Sequence, residues 1–252
     1  MIEAEKDIKL FGLVGKRLDY SFSKAYFEQE YHNIYVRPAR YDNYELPSAN
    51  EILPLARKQH LDGLNITIPF KETVIPFLDS ISEEAKAIGA VNTLKFTHLP
   101  SGIYVEGHNT DARGFETCVS TCLSEHRHAI VLGTGGAAKA VAYVLRNHGL
   151  SVTYVSRDKK GDGIIGYEQL DEKIIADNTL IINATPLGTL GFGSEVEIPY
   201  NGISRGHLCI DLVYNPLETL FMKESAKRGA TVKNGLEMLH RQAEETWKIW
   251  NA

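Results

Sequence analysis

The segment Ala129-Ile-Val-Leu-Gly-Thr-Gly-Gly-Ala-Ala138 sets Gly133 and Gly135 directly after a short apolar run and ahead of an Ala/Val/Leu-rich stretch. Strand, glycines and helix follow in the order that a phosphate-binding turn requires. Gly133 lets the chain reverse tightly, and Gly135 lets a pyrophosphate approach the backbone. Ala138, in the third position, is small enough for close helix–strand packing. A helix opening at Ala137 would offer unpaired N–H groups and a positive dipole end to an anion. A purely structural turn is the competing reading of the same glycines. The next apolar run ends at Ser156-Arg157-Asp158. At this strand end an acidic residue holds the ribose 2′-hydroxyl of NAD, whereas arginine accommodates the 2′-phosphate of NADP. Arg157, with Lys159 and Lys160 behind it, points to NADP. Asp158 would repel a 2′-phosphate and points the other way. A solvated charged turn would explain all four residues.

Polar clusters punctuate the first half of the chain. Ser21-Phe-Ser23 places two hydroxyls near a helix start, where they can grip a carboxylate or simply cap the helix. In Asn65-Ile-Thr-Ile-Pro-Phe-Lys71 a β run delivers Asn65 and Thr67 to one strand face, and Pro69 redirects the chain toward Lys71. Ala90-Val-Asn-Thr93 and Gly107-His-Asn-Thr-Asp111 follow. The segment Asn183–Gly193 carries Gly188, Gly191 and Gly193 and lacks apolar periodicity, so it reads equally as a mobile cover or a passive loop.

The elements that must position these groups alternate between strand and helix. Strands are expected at Ile8–Val14, Ile34–Tyr41 and Gly63–Ile68, and helices at Ser23–His32, Glu51–His60 and Ser82–Ile88, the last capped by Ser82. Val91–Thr97 and Gly102–Glu106 read as a hairpin. From Thr110 onward come a helix over Asp111–Leu123, buried strands at Ala129–Leu132, Ser151–Ser156, Thr179–Asn183 and His207–Val213, and a helix over Ala137–His148. Such short apolar runs closed by turn residues belong to a parallel sheet covered on both faces. Between Ser156 and Ile164 there is too little chain for the usual crossover helix. A final helix, Gly235–Trp250, gathers Leu236, Leu239, Ala243, Trp247 and Trp250 on one face. The fold class is α/β, with two domains meeting at a break near residue 110 and a ligand cleft expected between them.

Composition narrows the partners. With 252 residues and a net charge of −5 the chain carries no electrostatic footprint for nucleic acid. Its N-terminus has no apolar signal region, and no apolar run approaches the ~18 residues of a membrane span. Cys118, Cys122 and Cys209 form neither a disulfide framework nor a metal set, although Cys118 and Cys122 could share a helix face. The expectation is a cytoplasmic protein that uses no metal and acts on a small molecule.

Asn65–Lys71, Ala90–Thr93, Asn109–Asp111, Gly133–Ala137, Asn183-Ala-Thr-Pro186, Asp211-Leu-Val-Tyr214 and Gly235–Gln242 together resemble, in order, the segments of shikimate dehydrogenases. The resemblance runs from about Leu10 to the C-terminus. It implies an N-terminal α/β substrate domain over 1–109, completed by 236–252 where a C-terminal helix returns, and a Rossmann-like NADP-binding domain over 110–235. It implies NADPH-dependent reduction of 3-dehydroshikimate to shikimate, a step toward chorismate and the aromatic amino acids, by a monomer or homodimer. Lys71 and Asp111 match the family's catalytic pair. Ser21 and Ser23 match hydroxyls that hold the substrate carboxylate, Asn65, Thr67, Asn92 and Gln242 match residues for the ring hydroxyls, and Tyr214 matches a tyrosine close to the substrate. Gly133, Gly135, Gly136 and Ala137 match the phosphate loop, Ser156, Arg157 and Asp158 the adenosine ribose end, and Asn183 and Thr185 complete the cofactor set. Three other functions stay in view: an NAD-dependent quinate/shikimate dehydrogenase, for which Asp158 speaks; a non-catalytic ligand sensor, which would have no need of Lys71 or Asp111; and a folate-linked dehydrogenase, which would need neither the serine pair nor Asn109–Asp111.

Overall fold

Two six-stranded sheets carry the chain. The computed structural model describes residues 8–19, 23–34, 39–158 and 161–252. They divide into two compact units, Met1–Thr110 with Ala243–Ala252, and Asp111–Gln242.

In the first unit the elements are β1 (Lys9–Gly15), α1 (Ser23–Ile34), β2 (Ala39–Glu45), α2 (Ile52–Gln59), β3 (Gly63–Ile66), α3 (Phe70–Thr73), β4 (Ser80–Ile81), α4 (Glu83–Ile88), β5 (Thr93–Leu99) and β6 (Gly102–His108). The sheet order is β2-β1-β3-β5-β6-β4. β1 pairs in parallel with β2 and β3, while β5 pairs antiparallel with β3 on one side and β6 on the other. Local signals set several element ends. Ser82 Oγ accepts from Ala85 N at 3.2 Å and starts α4, and Gly89, at φ +72°, stops it.

Other expectations needed correction. The second strand, expected over Ile34–Tyr41, is described as Ala39–Glu45: Ile34 closes α1, and 35–38 lie outside the described residues. It lies at the sheet edge with Tyr41 as its one buried residue, so its sequence lacks an apolar run. β3 stops at Ile66 rather than Ile68, because Pro69 and the α3 turn follow at once. The first hairpin strand is shifted two residues onward, to Thr93–Leu99, and the second begins at Gly102 as expected but runs two residues further, to His108.

One core lies between β3, β5, β6 and α2, including Ile52, Leu61, Leu64 and Leu94. On the opposite sheet face the end of the last helix closes a second core. Trp250 stacks on Phe11 with ring centroids 4.2 Å apart and donates from Nε1 to Leu94 O at 2.9 Å. Gly63 makes this approach possible, since a Cβ there would lie 2.2 Å from the Trp250 indole.

The second unit contains α5 (Asp111–Val119), β7 (His128–Leu132), α6 (Gly136–Asn147), β8 (Ser151–Val155), β9 (Ile164–Ile165), α7 (Glu172–Asp177), β10 (Leu180–Asn183), β11 (Leu208–Asp211), α8 (Leu220–Lys227), β12 (Thr231–Lys233) and the first turns of α9 (Leu236–Asn251). All its strands are parallel, in the order β12-β11-β10-β7-β8-β9. Numbered from β7, this is the 3-2-1-4-5-6 arrangement of doubly wound sheets. The central strands β10 and β11 are fully buried and β7 is buried from Ala129 onward, as helices on both faces demand, whereas β8, β9 and β12 toward the edges are largely half-buried. Between β8 and β9 no helix occurs among the described residues, in keeping with the short connection. α5 ends at Val119 rather than Leu123, and a separate 3₁₀ turn spans Leu123–Glu125. Cys122 therefore lies beyond the helix and shares no helix face with Cys118. No described helix is long and apolar enough to cross a membrane.

Candidate active site

The junction of β7 and α6 is built from backbone alone. Gly133 sits at φ +101°, where a side chain is strained, and its N–H donates to Val155 O at 2.8 Å. A Cβ on Gly133 would stand 3.0 Å from Thr185 Cγ2. Gly135 precedes α6 and supplies no side-chain cap, and a Cβ there would meet nothing within 4 Å. The 12-residue helix that follows has no side-chain cap and no acidic residue in its first turn. A phosphate fits such a cradle by charge and by shape. Ala138 is fully buried, as close helix–strand packing requires.

One strand over, β8 ends at Val155, and Asp158 N donates to Ser156 Oγ at 3.2 Å. Arg157 and Asp158 are both exposed, so each can reach a ligand from this edge.

β10 and β11 end in a buried polar knot. Asn183 Nδ2 donates to Asp211 Oδ1 at 2.9 Å and to Leu187 O at 3.1 Å. Its Oδ1 accepts from Thr185 N at 3.1 Å and Thr185 Oγ1 at 2.6 Å. Asp211 is fully buried and also accepts from Val213 N at 3.0 Å and Thr219 Oγ1 at 2.6 Å. Burial pushes its pKa up to about 6, against the opposing pull of those donors. The side chain of Asn183, expected at the cofactor, is thus engaged in holding the Asn183–Leu187 turn, and Thr185 is tied into it. Asp211 and Thr219 had no assigned role in the sequence. The signal was present in an aspartate closing the apolar strand Leu208-Cys-Ile-Asp, a residue type that is buried only when paired.

In the first unit β3 carries Asn65, and the α3 turn presents Lys71. Thr67 N donates to Val14 O at 2.9 Å, Phe70 N to Thr67 O at 2.9 Å and Val91 N to Lys71 O at 2.7 Å, which fixes the Lys71 backbone beside Asn92. Lys71 and Thr67 are half-buried, whereas Asn65, Asn92 and Ser23 are buried. Asn65 and Asn92 are brought together through Thr93, Thr110 and Thr246, three hydroxyls that the sequence reading left unassigned. Asn109 Nδ2 donates to Ala90 O at 2.9 Å and anchors the neighbouring loop. Ser21 lies outside the described residues.

In the second unit Asp111 is buried at the first position of α5, where a carboxylate suits the helix dipole. Tyr214 is half-buried just after β11. Gln242 Nε2 donates to Leu239 O at 3.1 Å, and α9 approaches α5 closely enough there that a Cβ on Gly114 would lie 3.0 Å from Gln242 N.

An all-parallel sheet of this strand order, with an open glycine turn before an uncapped helix, defines a Rossmann-type dinucleotide-binding unit. Comparison with known proteins narrows the class. A family model described as the shikimate dehydrogenase substrate binding domain matches residues 13–94. A shikimate dehydrogenase (NADP+) from Chlorobaculum tepidum is 35% identical over 270 residues, spanning 96% of this chain and 90% of that protein. The crystal structure of shikimate dehydrogenase 1 from Peptoclostridium difficile superposes with a TM-score of 0.84 at 30% identity, covering 96% of this chain and 91% of its own. A quinate dehydrogenase from Corynebacterium glutamicum in complex with NAD superposes with a TM-score of 0.82 at 28% identity, covering 97% and 94%. The chain belongs to the shikimate dehydrogenase family.

The Gly135 cradle invites a direct test. Gly135→Ala is expected to leave the thermal midpoint within about 2 °C of wild type, because its methyl meets no protein atom. The same methyl should raise KM for the dinucleotide at least about tenfold, by occupying the space a pyrophosphate needs. Unchanged cofactor KM in steady-state assays would remove the turn from the binding site.

Proposed function

We propose that the chain catalyses the reversible, NADPH-dependent reduction of 3-dehydroshikimate to shikimate, acting in the cytoplasm as a monomer or homodimer. The observation that carries the cofactor half is the open, uncapped Gly135 turn. The substrate half is supported by a family relationship that extends over nearly the whole chain. Gly133, Gly135, Gly136 and Ala137 hold the pyrophosphate, and Ser156 and Arg157 hold the adenosine ribose phosphate, with Asp158 beside them. When bound, the nicotinamide supplies a hydride to the ring carbonyl carbon.

The protein's own groups do the rest. As that carbon is reduced, its oxygen gains negative charge and must take up a proton. The Lys71 ammonium stabilises the charge and donates the proton, and in the reverse direction takes it back. Asp111 holds a substrate hydroxyl in register. Ser21 and Ser23 receive the substrate carboxylate, and Asn65, Thr67, Asn92, Tyr214 and Gln242 contact the ring and its hydroxyls.

The experiment is to follow NADPH absorbance when 3-dehydroshikimate is added to the purified protein. Consumption that depends on both substrates is expected, and no consumption overturns the reading. Arg157→Ala should reduce the preference for NADP over NAD by about 10- to 100-fold, the loss of one charge-assisted contact to the 2′-phosphate. An unchanged preference would take Arg157 out of the site.

Exposed Asp158 favours one second reading, NAD-dependent oxidation of quinate or shikimate. Initial rates with each cofactor and each acid separate the two.

A further inference from the structure

The contacts of Asn65 and Asn92 form a closed circuit. Asn92 Nδ2 donates to Thr110 Oγ1 at 2.9 Å. Thr110 Oγ1 lies 3.1 Å from Thr246 Oγ1, and Thr246 Oγ1 lies 3.0 Å from Thr93 Oγ1. Thr93 Oγ1 donates to Asn92 Oδ1 at 3.1 Å and closes the loop. A hydroxyl has one proton and two lone pairs. Each threonine can therefore accept from one neighbour and donate to the next around the ring.

Three further donors fix the sense of the ring and of the two amides. Thr110 N donates to Asn92 Oδ1 at 2.7 Å, which only an oxygen can receive. Asn65 Nδ2 donates into the ring at Thr246 Oγ1 (3.2 Å) and Thr93 Oγ1 (3.3 Å), and Tyr41 OH donates to Asn65 Oδ1 at 2.9 Å. Both protons of the Asn65 amide are thereby committed. Its oxygen keeps one lone pair, so Asn65 can serve a ligand only as an acceptor.

Thr246 is the one member contributed by the last helix, it is fully buried, and it is the only ring hydroxyl that touches Asn65 and both other threonines within 3.2 Å. We infer that Thr246 is a positioning residue for substrate binding: its hydroxyl completes the ring that holds Asn65 and Asn92 in the orientation in which substrate hydroxyls meet them. This role rests on the function proposed above. A buried, fully satisfied network holds its members still, and fixed amides lose less freedom when a ligand arrives. Without the Thr246 hydroxyl, Thr110 turns its proton to Asn92 Oδ1, 3.2 Å away, and Asn65 Nδ2 is left with the longer contacts to Thr93 Oγ1 at 3.3 Å and Asn92 O at 3.4 Å. The amides loosen while the apolar frame of Phe11, Tyr41 and Trp250 stays intact.

The test compares Thr246→Val and Thr246→Ser with wild type by steady-state kinetics and thermal unfolding. Thr246→Val should raise KM for shikimate about tenfold, with KM for NADP+ and kcat each within about threefold of wild type. Thr246→Ser, which restores the hydroxyl, should return KM to within about twofold. A folded Thr246→Val protein with unchanged KM for shikimate overturns the inference, and so does a serine variant as impaired as the valine one. If the valine variant does not fold, Thr246→Ala is judged by the same criteria, and failure of both assigns the hydroxyl to stability alone and overturns the role. A wild-type protein that turns over no shikimate sinks the proposed function and this role with it, whereas an active wild type with an unmoved variant sinks only the role.

Discussion

Lys71→Ala is expected to lower kcat for shikimate oxidation by about 10²- to 10⁴-fold, the usual contribution of a well-placed proton-transfer group, while KM changes far less. Lys71 is anchored through its backbone. Its carbonyl accepts from Val91 N at 2.7 Å, and the preceding turn is closed by Phe70 N donating to Thr67 O at 2.9 Å. Shortening the side chain therefore removes an ammonium without shifting the segment that carries it. The protein should stay folded, with the Asn65–Asn92 ring undisturbed. An interaction made mainly in the transition state appears in kcat and in kcat/KM alike, whereas a plain binding contact appears in KM. The opposite pattern, a raised KM with kcat intact, would reduce Lys71 to a substrate-binding group.

The second large effect concerns stability. Asp211→Ala should cost about 3 kcal/mol in urea unfolding, because it strands donors on Asn183, Val213 and Thr219 in a site with no access to water. A loss below about 1 kcal/mol would mean that these donors find other partners. Titration of the same carboxyl gives the effect a pH signature. Its folded pKa is raised to about 6, against about 3.9 in an unfolded chain, so between those values the folded state binds the proton more tightly. This group's favourable contribution is fully present below about pH 4 and is lost as pH rises through about 6, a swing of about 3 kcal/mol. His108 and His126, whose pKa values burial pushes down, act in the opposite direction as pH falls. The measurement is therefore a difference. Wild-type stability minus that of Asp211→Asn should decline between pH 4 and 6 and stay flat above about 7. A flat difference across the whole range would show that the buried carboxyl keeps its ordinary pKa.

Where the sequence alone was sufficient, the controlling physics was local. The β7–α6 turn was legible because φ preference, the missing Cβ and the helix start all lie within about ten residues of Ala129. The α4 helix was legible from Ser82 and the two glutamates behind it. The buried strands β7, β10 and β11 could be read because a sheet covered on both faces leaves no room for polar alternation. β2 was misplaced because an edge strand exposes one face and one hydrogen-bonding side, so its residues answer to solvent and to β1 rather than to a core. The α5 helix was overextended because nothing in Ser120–Cys122 breaks a helix by propensity, and the chain leaves the helix on its way to β7.

The sequence by itself determined the α/β class, the dinucleotide turn and the list of polar residues that chemistry could use, since residue type and short spacing decide all three. Only the tertiary structure decided what those polar residues do to one another. The ring of Asn92, Thr110, Thr246 and Thr93 draws on β5, the loops flanking β5 and β6, and the last helix, and bonds Thr93 to Thr246, 153 positions along the chain. Asp211 meets Asn183 only because β10 and β11 lie side by side in register. Hydrogen bonds act over about 3 Å, and which groups come that close is set by strand order and helix docking, which residue spacing along the chain does not encode.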